Sequence, residues 1–252
     1  MTRAVALEFY KVRRRKVWLV LLALIGVQFL WSLIAYFRMK PTPELLENGW
    51  LSCLQQFAML NTIIMPFFSA ILASRLCDIE HKGQTFKLLE TVQPPAGLFA
   101  AKFLCGAVYL AAASVLQMFL MLLVGMARGF HGYPPTKPFA LQLLFSFAVN
   151  LAVYLLQQIL SLQIQNQMIP MAVGLFGSFL GLFSLFFPKT VMRLVLWSYY
   201  ALLSPVAMDW NEQTRITRYT VLNPDWGSFT VLAAVLIGLY ILGRTLFVRK
   251  EV

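Results

Sequence analysis

The sequence is poor in charged residues, cysteine and histidine, and each shortage excludes a class of protein. Only 12% of its 252 residues are Asp, Glu, Lys or Arg, whereas a soluble domain averages about 25%. So little polar surface cannot cover a water-soluble body of this size, which excludes an ordinary cytosolic enzyme and a disordered regulator. Three cysteines are too few, and an odd number, for the disulfide framework of a secreted module.

The chemistry of an enzyme or of a metal site is also missing from the sequence. Its two histidines, His81 and His131, are predicted to lie on opposite sides of a membrane, so they cannot share a metal ion. The sequence contains no His-Glu-x-x-His, no Cys-x-x-Cys and no Gly-x-x-x-x-Gly-Lys-Ser/Thr motif. We therefore predict no catalytic residue, no metal ligand and no cofactor bound by this chain, ATP included.

Long apolar runs are abundant, since 60% of the residues are hydrophobic and the mean hydropathy is +0.72. A membrane-spanning helix needs about 20 mostly apolar residues. Six runs meet this requirement and predict an all-α membrane protein with six transmembrane helices: 17–37, 51–74, 103–127, 139–164, 169–187 and 228–247. Residues 1–252 are interpreted as a single transmembrane domain.

A seventh apolar stretch, residues 191–208, is predicted not to cross the membrane. Arg193 and Pro205 interrupt it, and Trp197 lies with two tyrosines in its middle. Aromatic residues of this kind favour the headgroup region of a bilayer. Within the outer segment 188–227 we therefore predict a re-entrant or interfacial helical hairpin that precedes the last span.

The net charge of +11 is explained by topology rather than by a nucleic-acid partner. Cytoplasmic loops of membrane proteins collect Lys and Arg, and with six spans most of the 21 basic residues fall on the side of both termini. The N- and C-termini are therefore predicted to be cytoplasmic. Four basic residues before the first span would set this orientation at the membrane interface: Arg13, Arg14, Arg15 and Lys16.

Residues 1–16 have the pattern of a short amphipathic helix that lies on the inner membrane surface. Val5, Phe9 and Val12 recur at helical spacing, and Glu8 with several basic residues takes the other side. Such helices bury their apolar face among lipids, so membrane lipid is a predicted partner of this segment. The alternative is a charge cluster that only sets the topology.

The longest predicted cytoplasmic segment, the loop 75–98, contains a short helix. Asp78 and Lys82 form an i,i+4 pair in the favourable order. An apolar stripe follows on one face: Phe86, Leu89 and Val92. A membrane protein has little reason to present such a stripe to the cytosol unless another protein docks there. The alternative is a loop helix that folds back on its own bundle.

The predicted spans contain amides and hydroxyls instead of charges. Ion-coupled carriers usually place ionisable groups there, so a different source of energy is expected. Buried amides form interhelical hydrogen bonds, and one or two of them could contact a substrate. The candidates for either role are Gln28, Gln56, Asn61, Gln117, Asn150 and Gln157. Gly177 and Gly181 favour close helix contact, within the bundle or with a second subunit.

Two segments resemble the type-two ABC exporter permeases. The opening ALEFYKVRRRKVWLVLLAL resembles their amphipathic helix, basic cluster and first span, and ILASRLCDIEHKGQTFKLLETVQPPAGLFAAKFL is similar to their coupling loop. The chain is most similar to the permeases that protect bacteria against lantibiotics and related antimicrobial peptides. The loop positions that carry the resemblance are Glu80, Gly83, Leu88, Leu89, Pro94, Pro95 and Lys102.

The resemblance implies the membrane subunit of an ATP-driven exporter that removes such a peptide from the bacterial plasma membrane. Two copies of a separate ABC ATPase would bind ATP and Mg²⁺ and press on the loop helix, and a second permease subunit, identical or homologous, would complete the pathway. The coupling residues implied are Asp78, Glu80, Lys82, Gly83, Phe86, Leu88, Leu89 and Val92. The alternatives are an exporter of a lipid, drug or ion, and a membrane assembly or sensor protein.

Overall fold

The computed structural model describes residues 2–40, 42–85, 88–89, 93–211 and 216–249. Long helices form a bundle, and short helices and a β-hairpin connect them. The elements in chain order are α1 (Thr2–Arg13), α2 (Val17–Arg38), α3 (Pro43–Glu47), α4 (Gly49–Gly83), α5 (Pro95–Arg128), α6 (Thr136–Gln163), α7 (Met168–Phe183), α8 (Lys189–Met192), α9 (Tyr199–Leu202), β1 (Val206–Asn211), β2 (Ile216–Val221) and α10 (Trp226–Val248).

Six helices of the described chain are long and apolar enough to cross a membrane: α2, α4, α5, α6, α10, and α7 together with the 3₁₀ turn that continues it to Phe186. The predicted all-α class with six transmembrane helices is thereby confirmed. The physical reason is that hydrocarbon offers the backbone no hydrogen-bond partner, so a single run must satisfy its N–H and C=O groups internally, as a helix does.

The helices α4 and α5 are longer than the apolar runs that predicted them. α4 continues beyond its apolar run to Gly83, and α5 already begins at Pro95. Both helices therefore extend past the apolar layer toward the loop that joins them. The predicted loop helix over 78–92 is corrected accordingly: residues 78–83 belong to α4, which ends where Gln84 adopts a left-handed φ of 49°.

The outer segment 188–227 contains a β-hairpin where a helical hairpin was predicted. Its first half forms only single helical turns, α8 and α9, and its second half forms the antiparallel pair β1–β2 with Val206 opposite Val221. The β2 sequence ITRYTV is rich in β-branched and aromatic residues, which suit a pleated, half-buried strand. The stretch 191–208 forms no spanning helix, in agreement with the prediction.

The aromatic middle of the outer segment packs into the bundle, and its level with the headgroup region stays a prediction. Tyr200 is buried, and its hydroxyl donates a 2.6 Å hydrogen bond to Asn150 Oδ1. Trp197 lies against two glycines of α7, since a Cβ added at Gly177 would fall 2.0 Å from its ring and one at Gly181 would fall 2.9 Å from its carbonyl oxygen. The small-residue pair thus makes room for the chain's own outer segment.

Replacing Gly177 with alanine is expected to destabilise the protein by roughly 1–3 kcal/mol, the usual cost of overpacking a close-packed site. The measurement is the midpoint of thermal unfolding of the detergent-purified protein. Gly26→Ala is the matched control, because a Cβ at Gly26 has no atom within 4 Å and alanine favours the helix. Equal midpoints for the two variants would contradict the packing role of Gly177.

Asp225 joins the outer segment to the start of α10. Its carboxylate accepts hydrogen bonds from the hydroxyl of Ser228 at 2.7 Å and from the backbone N–H of Ser228 at 2.9 Å, and Arg193 Nη2 lies 3.6 Å away. The bonds from Ser228 lower the pKa of Asp225 below its ordinary value, because they stabilise the charged carboxylate. One side chain therefore caps α10 and holds the outer segment beside it.

The helix α4 lies at the centre of the bundle. It contacts α2, α5, α6 and α7, and its buried side chains extend from Trp50 to Glu80. Peripheral helices bury much less; α10, for example, buries only Ser228, Leu232, Gly243 and Phe247. Polar residues on α4 are therefore the ones that meet several neighbouring helices.

Candidate functional site at the loop end of the bundle

The N-terminal helix α1 packs against α4 and α5. This contact buries Val12 completely and leaves Glu8 only 1% exposed, whereas Leu7 is 55% exposed. The helix predicted over residues 1–16 is confirmed for residues 2–13, whereas residues 14–16 form a turn. Its polar face is corrected, because Glu8 points into the bundle and not into water. Glu8 is stabilised in this buried position by the ammonium group of a lysine.

That cation is Lys102 of α5. Its Nζ atom lies 2.8 Å from Glu8 Oε2 and 2.8 Å from Glu80 Oε2, and it donates a 2.7 Å hydrogen bond to the carbonyl of Leu76. Lys11 Nζ lies 2.7 Å from Glu8 Oε1 and 2.9 Å from Glu80 Oε1. Each carboxylate bridges both ammonium groups, so Glu8, Lys11, Glu80 and Lys102 form a closed cycle of alternating charge, which we call the ion-pair ring.

The ion-pair ring is electrically neutral. Lys102 Nζ donates hydrogen bonds to Glu8 Oε2 and to the carbonyl of Leu76, and it forms an ion pair with Glu80 Oε2. Lys102 and Glu80 are both 0% exposed. Such a cluster holds α1, α4 and α5 together rather than binding a ligand. Glu80 stays a predicted coupling residue, but its buried side chain is not accessible to another protein, so it would act through the ion-pair ring.

The loop between α4 and α5 keeps helical hydrogen bonding in its middle. The N–H of Leu89 donates to the carbonyl of Thr85 at 2.9 Å, and the N–H of Gln93 donates to the carbonyl of Leu89 at 2.9 Å. Leu88 is 65% exposed, whereas Leu89 packs against the bundle. Two members of the predicted apolar stripe, Phe86 and Val92, lie outside the described residues.

Two neighbouring residues, Leu88 and Leu89, support different interpretations of the loop. Leu89 contacts the cluster that contains Cys77, Leu98 and Phe99, which fits a loop folded back on its own bundle. Leu88 and the end of α4 at Gly83 are exposed, which fits a surface for another protein. Leu88 is therefore an exposed apolar residue of this loop whose replacement would disturb the bundle little.

The predicted Asp78–Lys82 pair is present, with Lys82 Nζ 2.8 Å from Asp78 Oδ2. Arg15 Nη1 approaches the same carboxylate oxygen at 4.0 Å. The remaining members of the predicted interfacial cluster, Arg13, Arg14 and Lys16, are exposed. Lys16 occupies a tight connection between α1 and α2 with a left-handed φ of 50°. The end of the bundle that carries the loop is thus also the basic end.

Three of the predicted amides meet in the middle of the bundle. Gln117 Nε2 donates to Gln28 Oε1 at 2.8 Å and to Asn61 Oδ1 at 2.8 Å, and Gln28 Nε2 donates to Asn61 Oδ1 at 3.0 Å. All three are buried and come from α2, α4 and α5. Their mutual bonds confirm the interhelical role and leave little donor capacity for a substrate.

Two further amides make separate interhelical contacts. Asn150 Nδ2 donates to Ser114 Oγ at 3.3 Å. In the amide orientation that satisfies both partners, Gln157 Nε2 donates to the carbonyl of Pro170 at 2.9 Å and its Oε1 accepts from the N–H of Gly174 at 3.2 Å. Gln157 therefore fastens α6 to the first turns of α7.

Gln56 differs from the other amides because its Oε1 is buried and has no hydrogen-bond partner among the described residues. It lines a cavity of about 210 Å³ between α4 and the β-hairpin. The lining is amphipathic: Tyr36, Ser52, Gln55 and Tyr219 provide polar atoms, and Met39, Leu45, Met59 and Met208 provide apolar ones. Of the predicted polar residues, Gln56 is the one left available to a bound molecule.

Comparison with known proteins agrees with this arrangement of elements. The family model described as "ABC-2 family transporter protein" matches residues 4–181. That range runs from α1 into α7, and it includes the whole ion-pair ring and the loop between α4 and α5. No curated protein sequence matches the chain.

Proposed function

Because the chain belongs to the ABC-2 transporter family, we propose that it is the membrane subunit of a bacterial exporter for a lantibiotic or a related antimicrobial peptide. The chain is the membrane component of an ABC-2 type transporter, crosses the membrane several times and has no nucleotide-binding site of its own. Permeases of this family generally pair with an ABC ATPase. The peptide cargo is the part of the proposal that goes beyond the family.

The single observation that carries the proposal is the family match across the loop and the ring. The exposed Leu88 offers an apolar contact to a partner, and the loop leaves α4 at Gly83, three residues after Glu80. A partner that moved this loop would therefore also move the ion-pair ring, and with it α1 and α5. In our proposal this end is cytoplasmic, and two ATPase copies, holding ATP and Mg²⁺, drive the motion.

A second permease subunit, identical or homologous, is part of the proposal. The helix α7 exposes an apolar face that includes Phe176, Phe179 and Phe183, with 69%, 47% and 55% of these side chains accessible. Gly177 and Gly181 do not contribute to this face, because Trp197 of the same chain covers them. The aromatic residues, not the glycines, are therefore the candidates for contact between subunits.

The cavity beneath the β-hairpin supports an amphipathic cargo. Apolar methionine and leucine side chains stand beside the amide of Gln56, whose carbonyl oxygen lacks a donor. A peptide supplies N–H groups together with apolar side chains, so both parts of the lining would find a partner. In the proposed orientation this cavity lies at the external end of the pathway.

The test is purification of the tagged chain from its native membrane, followed by reconstitution of whatever complex is recovered. We expect an ABC ATPase to co-purify, and we expect a panel of lantibiotics to raise its ATP hydrolysis roughly in line with their affinity. Linear peptides of the same length and charge serve as the control panel. An ATPase that responds to lipids or drugs but to no lantibiotic would contradict the proposed peptide cargo. Recovery of the chain without an ATPase would contradict the proposed pairing with an ABC ATPase.

A further inference from the structure

A second cavity, of about 470 Å³, opens at the loop end of the bundle. It lies between α2, α4 and the turn that joins α6 to α7, and its volume falls in the range of small-molecule sites, about 300–1,000 Å³. One side is apolar, with Val20, Met168 and Met171. The other is polar and charged, with Arg75, Asp78, Lys82, Asn166 and Gln167. The cavity therefore suits a molecule that is itself amphipathic.

Arg75 gives the cavity a positive charge in addition to the Asp78–Lys82 pair. Lys82 and Arg15 share the carboxylate of Asp78, but no carboxylate of the described residues lies within ion-pair distance of Arg75. Its side chain is exposed, and a guanidinium binds a phosphate in a bidentate manner. The guanidinium of Arg75 therefore favours an anionic ligand, and a phosphate in particular.

The start of α7 does not supply the anion site. The N–H of Met168 already donates to Asn166 Oδ1 at 3.1 Å, the N–H of Met171 donates to the carbonyl of Gln167 at 3.3 Å, and Pro170 has no N–H. Gln167 requires a hydrogen-bond donor from the ligand, because its Oε1 is buried and has no donor among the described residues. The ligand should therefore carry a hydroxyl donor as well as a phosphate.

The depth of the cavity indicates where such a ligand comes from. Arg75 is the first charged residue after the uncharged run 51–74 of α4, so it stands at the level at which a bilayer changes from hydrocarbon to headgroups. Basic pockets between transmembrane helices at this level bind anionic headgroups. A free phosphate would satisfy Arg75 but would leave the apolar wall unused.

We propose that this cavity binds the headgroup of an anionic phospholipid of the phosphatidylglycerol type. Its phosphodiester pairs with Arg75, its glycerol hydroxyl donates to Gln167 Oε1, and the first carbons of its acyl chains lie along Val20, Met168 and Met171. The site is independent of the cargo, since it lies at the opposite end of α4 from the cavity that contains Gln56.

The test is native mass spectrometry of the detergent-purified chain, or of its complex with the ATPase, titrated with phosphatidylglycerol or with phosphatidylcholine of the same acyl chains. We expect phosphatidylglycerol to bind roughly tenfold more tightly, and Arg75→Gln to remove that preference, because one charge-assisted contact is worth about that factor. Arg75→Lys should retain part of it. Arg244→Gln is the matched control, since Arg244 is also an exposed arginine at the same end of a spanning helix.

Three results would overturn the proposal. The first is an equal affinity for the two lipids, and the second is an equal loss of binding in Arg244→Gln and Arg75→Gln. The third is displacement of phosphatidylglycerol by millimolar inorganic phosphate, which would assign the cavity to a free anion instead of a lipid. Thermal unfolding of each variant shows whether it is folded, and because Arg75 is exposed, Arg75→Gln should unfold at the same temperature as the unaltered protein.

Discussion

Replacing Lys102 with methionine is expected to destabilise the folded protein by about 3–5 kcal/mol, the cost of leaving buried charges without their partner. Glu8 and Glu80 are 1% and 0% exposed, and the cation between them, Lys102, is fully buried. Lys11, which is 22% exposed, would have to balance two carboxylates alone. The measurement is the yield of folded protein in the membrane and its thermal unfolding midpoint in detergent.

The cause of this loss is tested by neutralising the carboxylates as well. In the triple variant Glu8→Gln, Glu80→Gln and Lys102→Met no buried charge lacks a partner, so much of the stability should return, because replacing a buried ion pair by neutral groups of similar volume is often tolerated. Lys137→Met changes an exposed lysine at the start of α6 and should have little effect. A Lys102→Met protein as stable as the Lys137→Met protein would contradict the ring.

A charge at Leu88 is expected to uncouple the ATPase while leaving the permease folded. Leu88 is 65% exposed, so Leu88→Asp costs the bundle little, but a carboxylate placed in an apolar contact would have to be desolvated when the partner docks. We expect ATPase co-purification to fall at least tenfold and peptide-dependent ATP hydrolysis to be lost. Membrane level and unfolding midpoint should not change.

The matched control for this prediction is Leu194→Asp. Leu194 is 85% exposed and lies in the outer segment, so the same substitution is made on an exposed leucine at the other end of the protein. Normal ATPase binding by Leu88→Asp, or an equal loss of ATPase binding in both variants, would contradict the docking role of Leu88. Leu89→Asp is a poorer probe, because Leu89 packs on the bundle and a charge there would also disturb the fold.

The sequence predicted the coarse fold correctly where a single segment contains the whole signal. Each transmembrane helix is an apolar run of sufficient length, and the Asp78–Lys82 pair is one helical turn apart, so neither depends on a distant residue. The outer segment shows the limit of this approach. The packing of its aromatic middle depends on the contact of Trp197 with Gly177 and Gly181, which lie earlier in the chain.

The ion-pair ring was only partly accessible to sequence reasoning. Glu80 and Lys102 were singled out through the resemblance, but Glu8 was assigned to a solvated face because α1 is amphipathic and its other polar residues are basic. One feature of the sequence could have indicated that Glu8 is buried: it is the only acidic residue in α1, and this helix directly precedes a membrane span. A pattern within one helix cannot show which buried cation another helix presents to it.

The sequence by itself determined the membrane location, the six spans, the absence of a P-loop motif and the family resemblance, because apolar length and motif spacing are local properties. Only the tertiary structure decided which polar groups meet. It placed Glu8, Lys11, Glu80 and Lys102 in one cycle, joined Gln28, Asn61 and Gln117, and left Arg75, Gln56 and Leu88 available to partners. The physical reason is that a buried polar group is stabilised by whichever partner lies within about 3 Å of it, and that distance is set by helix packing between residues far apart in the chain.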